Sequence, residues 1–318
     1  MRRFAAGAVL LALACRTGGP SGRRIQITIP EGATLSAAAE SLYARGVIGS
    51  ATTFRFFARA LGKSNDIKAG VYEFVPDLPV LDALKVLTSG HEALRRLVLP
   101  EGLMLGEVAG MVHDQIKVPE EEFLAAAKDS ALAAQVHAGR PTLEGYLYPS
   151  TYLVRYGVTA PEVARMLVEE FQLQWRPAWN ARLDSLRMTR DQIVTLASII
   201  EAEVRYRPDR PYVSAVYHNR LKRGMALQAD PTIIYAHGRR MRRVWEKQLQ
   251  IRSPYNTYLN PGLPPGPITQ PSDSSIIAAL YPAPVGYLYF VAQPDGKHIF
   301  SATYNDHLAA IRRVRNRR

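Results

Sequence analysis

Ile25-Gln26-Ile27-Thr28-Ile29 alternates apolar and polar residues, the period of a strand with one buried face. Pro30-Glu31-Gly32 then turns the chain. Thr34–Arg45 follows at helical spacing, with Leu35, Ala38, Ala39 and Leu42 on one side. Ala69–Phe74 reads as a second strand and Val80–Thr88 as a further helix, so residues 25–75 run strand, helix, helix, strand. The joint Ile29-Pro30-Glu31-Gly32-x-x-Leu35-x-x-x-Ala39 returns as Leu99-Pro100-Glu101-Gly102-x-x-Leu105-x-x-x-Ala109. A strand feeding a helix through Pro-Glu-Gly is therefore expected twice, although one echo does not make a repeat architecture.

Beyond about residue 95 the pattern turns helix-rich, with long loops bearing proline and glycine. Pro119–Lys128 and Pro161–Gln174 read as helices. Another helix opens at Thr189, whose hydroxyl and the Gln192 side chain have the spacing of a capping box. Pro208–Arg223 is closed by Gly224 at a C-cap position. Leu263-Pro264-Pro265-Gly266-Pro267 cannot be regular, because its prolines fix φ and remove donors. Tyr287–Ala292 reads as a strand and Asn305–Arg313 as a last helix. The expected class is α+β: a small module over 25–95, then a larger helix-rich domain with a few strands over 96–318. The order of elements in the small module resembles a LysM-type glycan-binding module.

The first fifteen residues stand apart. Arg2-Arg3 precedes an unbroken small and apolar run, Phe4–Ala14, that ends at Cys15. This is the layout of an export signal, and the run is shorter than the ~20 apolar residues that span a bilayer. Cys15 has the position of a lipoprotein processing site; an ordinary cleaved signal and a truncated anchor are the other readings. Residues 16–24 read as a linker. With one cysteine in 318 residues, an intramolecular disulfide and a Cys-based zinc site are both excluded. A net charge of +12 suits nucleic acid, anionic lipid or an acidic wall polymer. An exported chain does not meet nucleic acid, so membrane attachment through the N-terminus and contact with the wall are expected instead. The basic residues gather at Arg239–Arg243 and Arg312–Arg318, where the plainer reading is solvated surface.

The Thr189 helix carries the candidate chemistry. Ile193, Val194, Leu196, Ala197, Ile199 and Ile200 make it apolar around most of its girth, as a buried helix is. It nevertheless ends in Glu201 and Glu203. At about 100° per residue both lie at the margins of the apolar surface, away from the face of Asp191 and Thr195. Apolar walls raise a carboxyl pKa, which suits a general acid. The plainer alternative is that both glutamates pair with Arg205, Arg207 or Arg210. Being about 200° apart, the two cannot flank one glycosidic bond as a carboxylate pair does. Glu144, in Leu143-Glu144-Gly145-Tyr146-Leu147-Tyr148-Pro149, is another acid candidate beside tyrosines that could stack on sugar rings. The seven histidines lack metal-binding spacing, and no phosphate-binding or nucleophile-elbow motif occurs, so neither metal nor cofactor is expected.

Taken together, these segments resemble the YceG-like family, the endolytic murein transglycosylases. The resemblance runs from about residue 25 to 310. Its carriers are Leu143–Tyr152, Ala197-Ser198-Ile199-Ile200-Glu201-Ala202-Glu203, Asn219-Arg220-Leu221 with Gly224–Thr232, Ser253–Tyr258, Gly262–Ile268, and Tyr287–Val291 with His298–Ser301. Ala202, Ala229 and Ser150 depart from the usual lysine, threonine and aspartate, and the short N-terminal run departs from a full membrane helix. The resemblance implies a LysM-like module, a helix-rich catalytic domain and membrane attachment facing the periplasm or cell wall. It implies glycan strands of peptidoglycan as substrate and peptidoglycan synthases as partners. It makes Glu201 the acid/base that cleaves the MurNAc–GlcNAc β-1,4 bond and leaves a 1,6-anhydro end. Gln228, Asn219, Asn256 and Tyr255 would orient sugars, Tyr146 and Tyr148 would stack on rings, and Glu144 and Glu203 would support. A noncatalytic wall-binding scaffold and a hydrolytic muramidase are the alternatives.

Overall fold

The computed structural model describes residues 24–90 and 93–316; the export-type segment 1–15 and nearly all of the 16–24 linker lie outside the described residues. Two compact units divide between Ala93 and Leu94.

In the first unit the alternating run forms β1 (Ile25–Ile29), paired antiparallel with β2 (Gly70–Phe74) so that Ile27 faces Tyr72. Between them lie α1 (Leu35–Ala44) and α2 (Ala51–Ala60), capped by the hydroxyls of Thr34 and Ser50; α3 (Val80–Ser89) follows. Ile27, Ile29, Leu42, Phe54, Tyr72, Phe74, Leu84 and Leu87 close one core. The small unit thus stands on a single apolar face from each element.

The second unit is the larger. Its helices are α4 (Leu105–Ile116), α5 (Glu120–Ala126), α6 (Ser130–Gln135), α7 (Ala160–Gln174), α8 (Ala178–Leu186), α9 (Arg190–Glu203), α10 (Arg210–Lys222), α11 (Asp230–Ala236), α12 (Asp273–Leu280) and α13 (Tyr304–Arg315). The strands form two antiparallel pairs, β3 (Leu94–Val98) with β4 (Thr151–Arg155), and β5 (Tyr289–Ala292) with β6 (His298–Ser301). The architecture is α+β, rich in helix and with small sheets. None of the described helices is long and apolar enough to cross a membrane. The Pro-Glu-Gly joint does recur: β1 leads to α1 and β3 to α4 through Gly32 (φ +73°) and Gly102 (φ +75°).

At the centre of this unit is α9, opened by the Thr189–Gln192 capping box. Every residue from Ile193 to Ile200 is buried, Thr195 and Ser198 included, so the polar face expected at Thr195 is absent. The cause is α12, which packs along α9, and the segment leading into it. Residues 267–272 form a strap held on both sides. The Ser198 hydroxyl accepts the Ile268 N–H at 3.0 Å, and the Thr269 hydroxyl donates to the Ser198 carbonyl at 3.1 Å. Opposite, the Gly102 N–H donates to the Gln270 carbonyl at 2.7 Å and the Gln270 N–H to the Leu103 carbonyl at 2.8 Å.

Gly145 fixes where the Glu144 loop meets the strap. Its φ is +87°, and a Cβ there would lie 2.4 Å from the Pro267 Cβ and 3.1 Å from Val194 Cγ1. A left-handed residue and a backbone-borne clash both oppose any side chain. Gly145→Ala is therefore expected to lower unfolding free energy by about 2–5 kcal/mol, read from the midpoint of urea unfolding. An unchanged midpoint would mean that the loop and strap do not pack this way.

Candidate active site

Glu201 sits in the last turn of α9, and its side chain is 6% exposed. The Cγ lies 3.7 Å from where a Cβ on Gly102 would be, so the repeated joint brings its glycine against this carboxylate. The walls are not the apolar ones that periodicity suggested. Arg210, in the first turn of α10 and 5% exposed at its side chain, donates from Nη2 to Glu201 Oε1 at 2.6 Å. Ser272, the N-cap of α12, donates to Oε2 from its N–H at 2.9 Å and from its hydroxyl in a very short hydrogen bond. The other Arg210 nitrogen, Nη1, reaches the hydroxyls of Ser272, at 2.7 Å, and of Ser274. Of the pairings with Arg205, Arg207 or Arg210 open to the two glutamates, Glu201 makes the one to Arg210. Sequence periodicity could not see this, because the partner arrives from the next helix.

Arg210 is itself held in place. The turn that precedes it ends at Asp209, whose carboxylate accepts the His298 N–H at 2.7 Å and lies 3.0 Å from His298 Nδ1. This pins the entry of α10 to β6.

Glu144 is bound to the other side of the same strap. Only 3% exposed, its carboxyl receives the Leu105 N–H at 3.1 Å, the Gln270 amide at 2.8 Å and the Tyr235 hydroxyl. Gln270 also accepts the Leu147 N–H at 3.0 Å. One short strap thus carries Gln270 to Glu144 and Ser272 to Glu201. Glu144, Leu105, Glu107, Tyr235 and Arg240 line a cleft of about 540 Å³. Burial raises the Glu144 carboxyl to about 8. Glu203, half-buried in α9 and without an ion pair among the described residues, is raised to about 7 by burial and then by the charge of Asp230.

These raised carboxyl pKa values predict a pH dependence. A carboxyl that keeps its proton when folded binds more protons than the unfolded chain. The stability it contributes is complete below the ordinary carboxyl range, near 4.5, and is lost as pH rises towards about 8 for Glu144. Across that window the unfolding free energy should fall by up to ~1.4 kcal/mol per pH unit from this group. Glu144→Gln, neutral throughout, is expected to remove that slope in urea titrations from pH 5 to 8. A variant with the wild-type slope would contradict it.

Several residues expected to bind sugar have other work. Asn256 is wholly buried; its amide donates to the Leu249 and Ile251 carbonyls at 2.8 and 2.9 Å, and its oxygen accepts the Tyr258 N–H. Asn219 donates to the Val285 and Tyr287 carbonyls, both at 2.9 Å. Both hold loops, because backbone carbonyls left unpaired by irregular segments claim their amides. Tyr146 is buried, edge-on to Phe171, with its hydroxyl donating to Asp191 at 2.7 Å, so no ring face is open to stack. Tyr148 is half-buried and donates to Asp273 at 2.8 Å, beside Ser272. Tyr255 is half-buried against Tyr235, ring centroids 4.7 Å apart, on the Glu144 side. Gln228 has a free side chain on a strained backbone, φ +50°, with its N–H on the Thr257 carbonyl at 3.1 Å. Arg210, Ser272, Gln270, Tyr235 and Arg240 were not foreseen as site residues. The sequence singles out only Arg210, as an ion-pair partner, and Arg240, as part of the basic run Arg239–Arg243.

A buried carboxylate that receives donors from a helix N-cap and a guanidinium has the surroundings of an acid/base group. Residues 27–313 match the YceG-like family, and the chain belongs to it. A relative from Bacillus subtilis (strain 168), named endolytic murein transglycosylase, is 32% identical over 299 residues, spanning 89% of this chain and 82% of that protein. One of the same name from Streptococcus pneumoniae serotype 2 (strain D39) is 29% identical over 319 residues, 90% of this chain and 58% of that longer protein. The crystal structure of a yceG-like protein from Listeria monocytogenes superposes with a TM-score of 0.64 at 34% identity, covering 90% of this chain and 98% of that one.

Proposed function

We propose that this chain is an endolytic murein transglycosylase, with Glu201 as its acid/base. The observation that carries the reading is the setting of Glu201, one carboxylate served by Arg210 and Ser272. In the first step the protonated Glu201 gives its proton to the oxygen of the MurNAc–GlcNAc β-1,4 bond. Arg210 and Ser272 stabilise the carboxylate left behind, which is where charge develops. In the second step that carboxylate takes the proton of the MurNAc C6 hydroxyl as its oxygen closes on C1, giving the 1,6-anhydro end. The nucleophile is tethered to the reacting carbon, so its effective concentration is high and neither water nor a second carboxylate is needed. Gln228, Tyr255 and Glu203 would meet sugar hydroxyls, and Glu144 holds the strap.

The same reading extends to the rest of the chain. The strand–helix–helix–strand order of β1, α1, α2 and β2 supports a LysM-like module over 25–95 that holds glycan strands, ahead of the catalytic domain over 96–318. The apolar run ending at Cys15 supports export and attachment to the outer face of the membrane, with peptidoglycan synthases as neighbours. Incubation of the purified chain with sacculi tests the activity. Soluble fragments of many lengths are expected, the mark of cutting within strands. Release of disaccharides alone would contradict endolytic cutting, and binding without release would leave a wall-binding scaffold.

A further inference from the structure

The run Arg239-Arg240-Met241-Arg242-Arg243 is placed by one of its own members. Arg240 grips Glu107 with both arms of its guanidinium, Nε and Nη2 each 2.7 Å from a carboxylate oxygen, and donates from Nη2 to the Gly102 carbonyl at 2.6 Å. Gly102 packs against Glu201, whose Cγ would lie 3.7 Å from a Cβ there, an ordinary contact. The run is therefore fastened to the rim of the cleft, and Arg239 lines that cleft beside Arg240. Arg239 and Arg242 are exposed and have no hydrogen-bond or ion-pair partner among the described residues. Arg243 lies over the exposed Trp245 ring at 4.2 Å, which holds its charge outward. Lys247 follows, and Glu246 is the one acid in the stretch from 239 to 247. Like charges gathered without counter-ions cost stability unless an anion meets them.

We propose that the arginines of this rim bind the peptide-stem carboxylates of the glycan strand lying in the cleft, so that the site prefers strands that still carry their stems. This deepens the murein transglycosylase reading and rests on it. The chemistry fits: a stem is amide-linked to the lactyl carboxyl of each MurNAc and carries free carboxylates outward from the sugar backbone. A guanidinium engages such a group through two parallel hydrogen bonds. A strand whose scissile bond is at Glu201 sends its neighbouring stems across the edge that Arg240 anchors. Anionic lipid would suit the charge equally. It would not explain why the run is tied to the carbonyl next to the acid/base.

The test compares glycan strands with and without stems, the latter stripped by an amidase and both coupled to beads, in sedimentation binding and in cleavage. The variant is Arg239→Gln/Arg242→Gln/Arg243→Gln; Arg240 is left in place, and the three changes are all on exposed side chains. The variant is expected to bind stem-bearing strands at least about tenfold more weakly than wild type, with the loss in kcat/KM carried by KM. Binding to stripped strands should be equal for the two proteins, and raised salt should narrow the wild-type preference for stems. Equal losses on both substrates, or no loss on either, would overturn the proposal. So would loss of binding to phosphatidylglycerol vesicles with stem binding intact. Sedimentation needs no turnover. A wild-type chain that binds through these arginines yet makes no anhydro ends would sink the enzymatic reading alone.

Discussion

Glu201→Gln is expected to lower the release of anhydro-ended fragments by about 10²- to 10⁴-fold, the usual share of a general acid/base. The substitution keeps the side chain's shape and one acceptor oxygen; Arg210 and Ser272 serve different oxygens of Glu201, so only one of them can still donate to it. What goes is the proton that the leaving oxygen needs and the charge that Arg210 faces. Arg210 is 4% exposed, and a buried guanidinium without its counter-charge is costly, about 3–5 kcal/mol when a pair is broken outright. Some loss of melting temperature should therefore accompany the loss of activity, and circular dichroism would separate an inactive fold from an unfolded chain. The control is Glu203→Gln. Glu203 has a carboxyl pKa raised by burial to about 7, yet it lies about 200° away around α9 and receives no guanidinium among the described residues. The Glu203 variant is expected to keep activity within about tenfold. If the two variants exchanged behaviour, the roles assigned along α9 would be reversed.

The second large effect falls on Arg210. Its fork spans Glu201, Ser272 and Ser274, joining the end of α9 to the start of α12. Lysine has the charge without the fork and cannot reach three oxygens in one plane. Arg210→Lys is expected to lower kcat by roughly 10²-fold, the cost of removing one aimed donor, while KM changes little. Gln228 and Tyr255, the groups proposed to meet sugar, are untouched by it. Full activity in the lysine variant would show that the guanidinium merely fills space. A rise in KM with kcat intact would move Arg210 from acid/base support to substrate binding.

Much of the α9 element was legible beforehand. The apolar run and the Thr189–Gln192 box define a buried, well-capped helix, and the glutamates at its end stand out against it. The Pro-Glu-Gly echo also held, because turn chemistry at Gly32 and Gly102 is local. What escaped depends on distant pairing. In β3, Leu94-Arg95-Arg96-Leu97-Val98 buries only Leu97 fully, so it offers no alternation; it is a strand because β4 supplies the ladder. Thr269-Gln270-Pro271-Ser272 looks like a polar surface loop, yet Thr269, Gln270 and Ser272 are buried. Their partners, Ser198, Glu144 and Glu201, lie 71 to 126 residues away. Composition prices such groups for water, and only the folded strap gives them protein partners. The same blindness hid the pairing of Asn219, Asn256 and Tyr146 within the protein. Their polar atoms face inward, towards backbone and Asp191.

The most direct test of the account is the mass of the new chain ends that the purified protein makes on intact sacculi. Intramolecular closure by the C6 hydroxyl predicts MurNAc ends one water lighter than reducing ends, formed without uptake of labelled oxygen from the solvent. Ends that carry solvent oxygen and reduce to muramitol would contradict it, for they would require a water nucleophile that the single carboxylate at Glu201 was argued to do without.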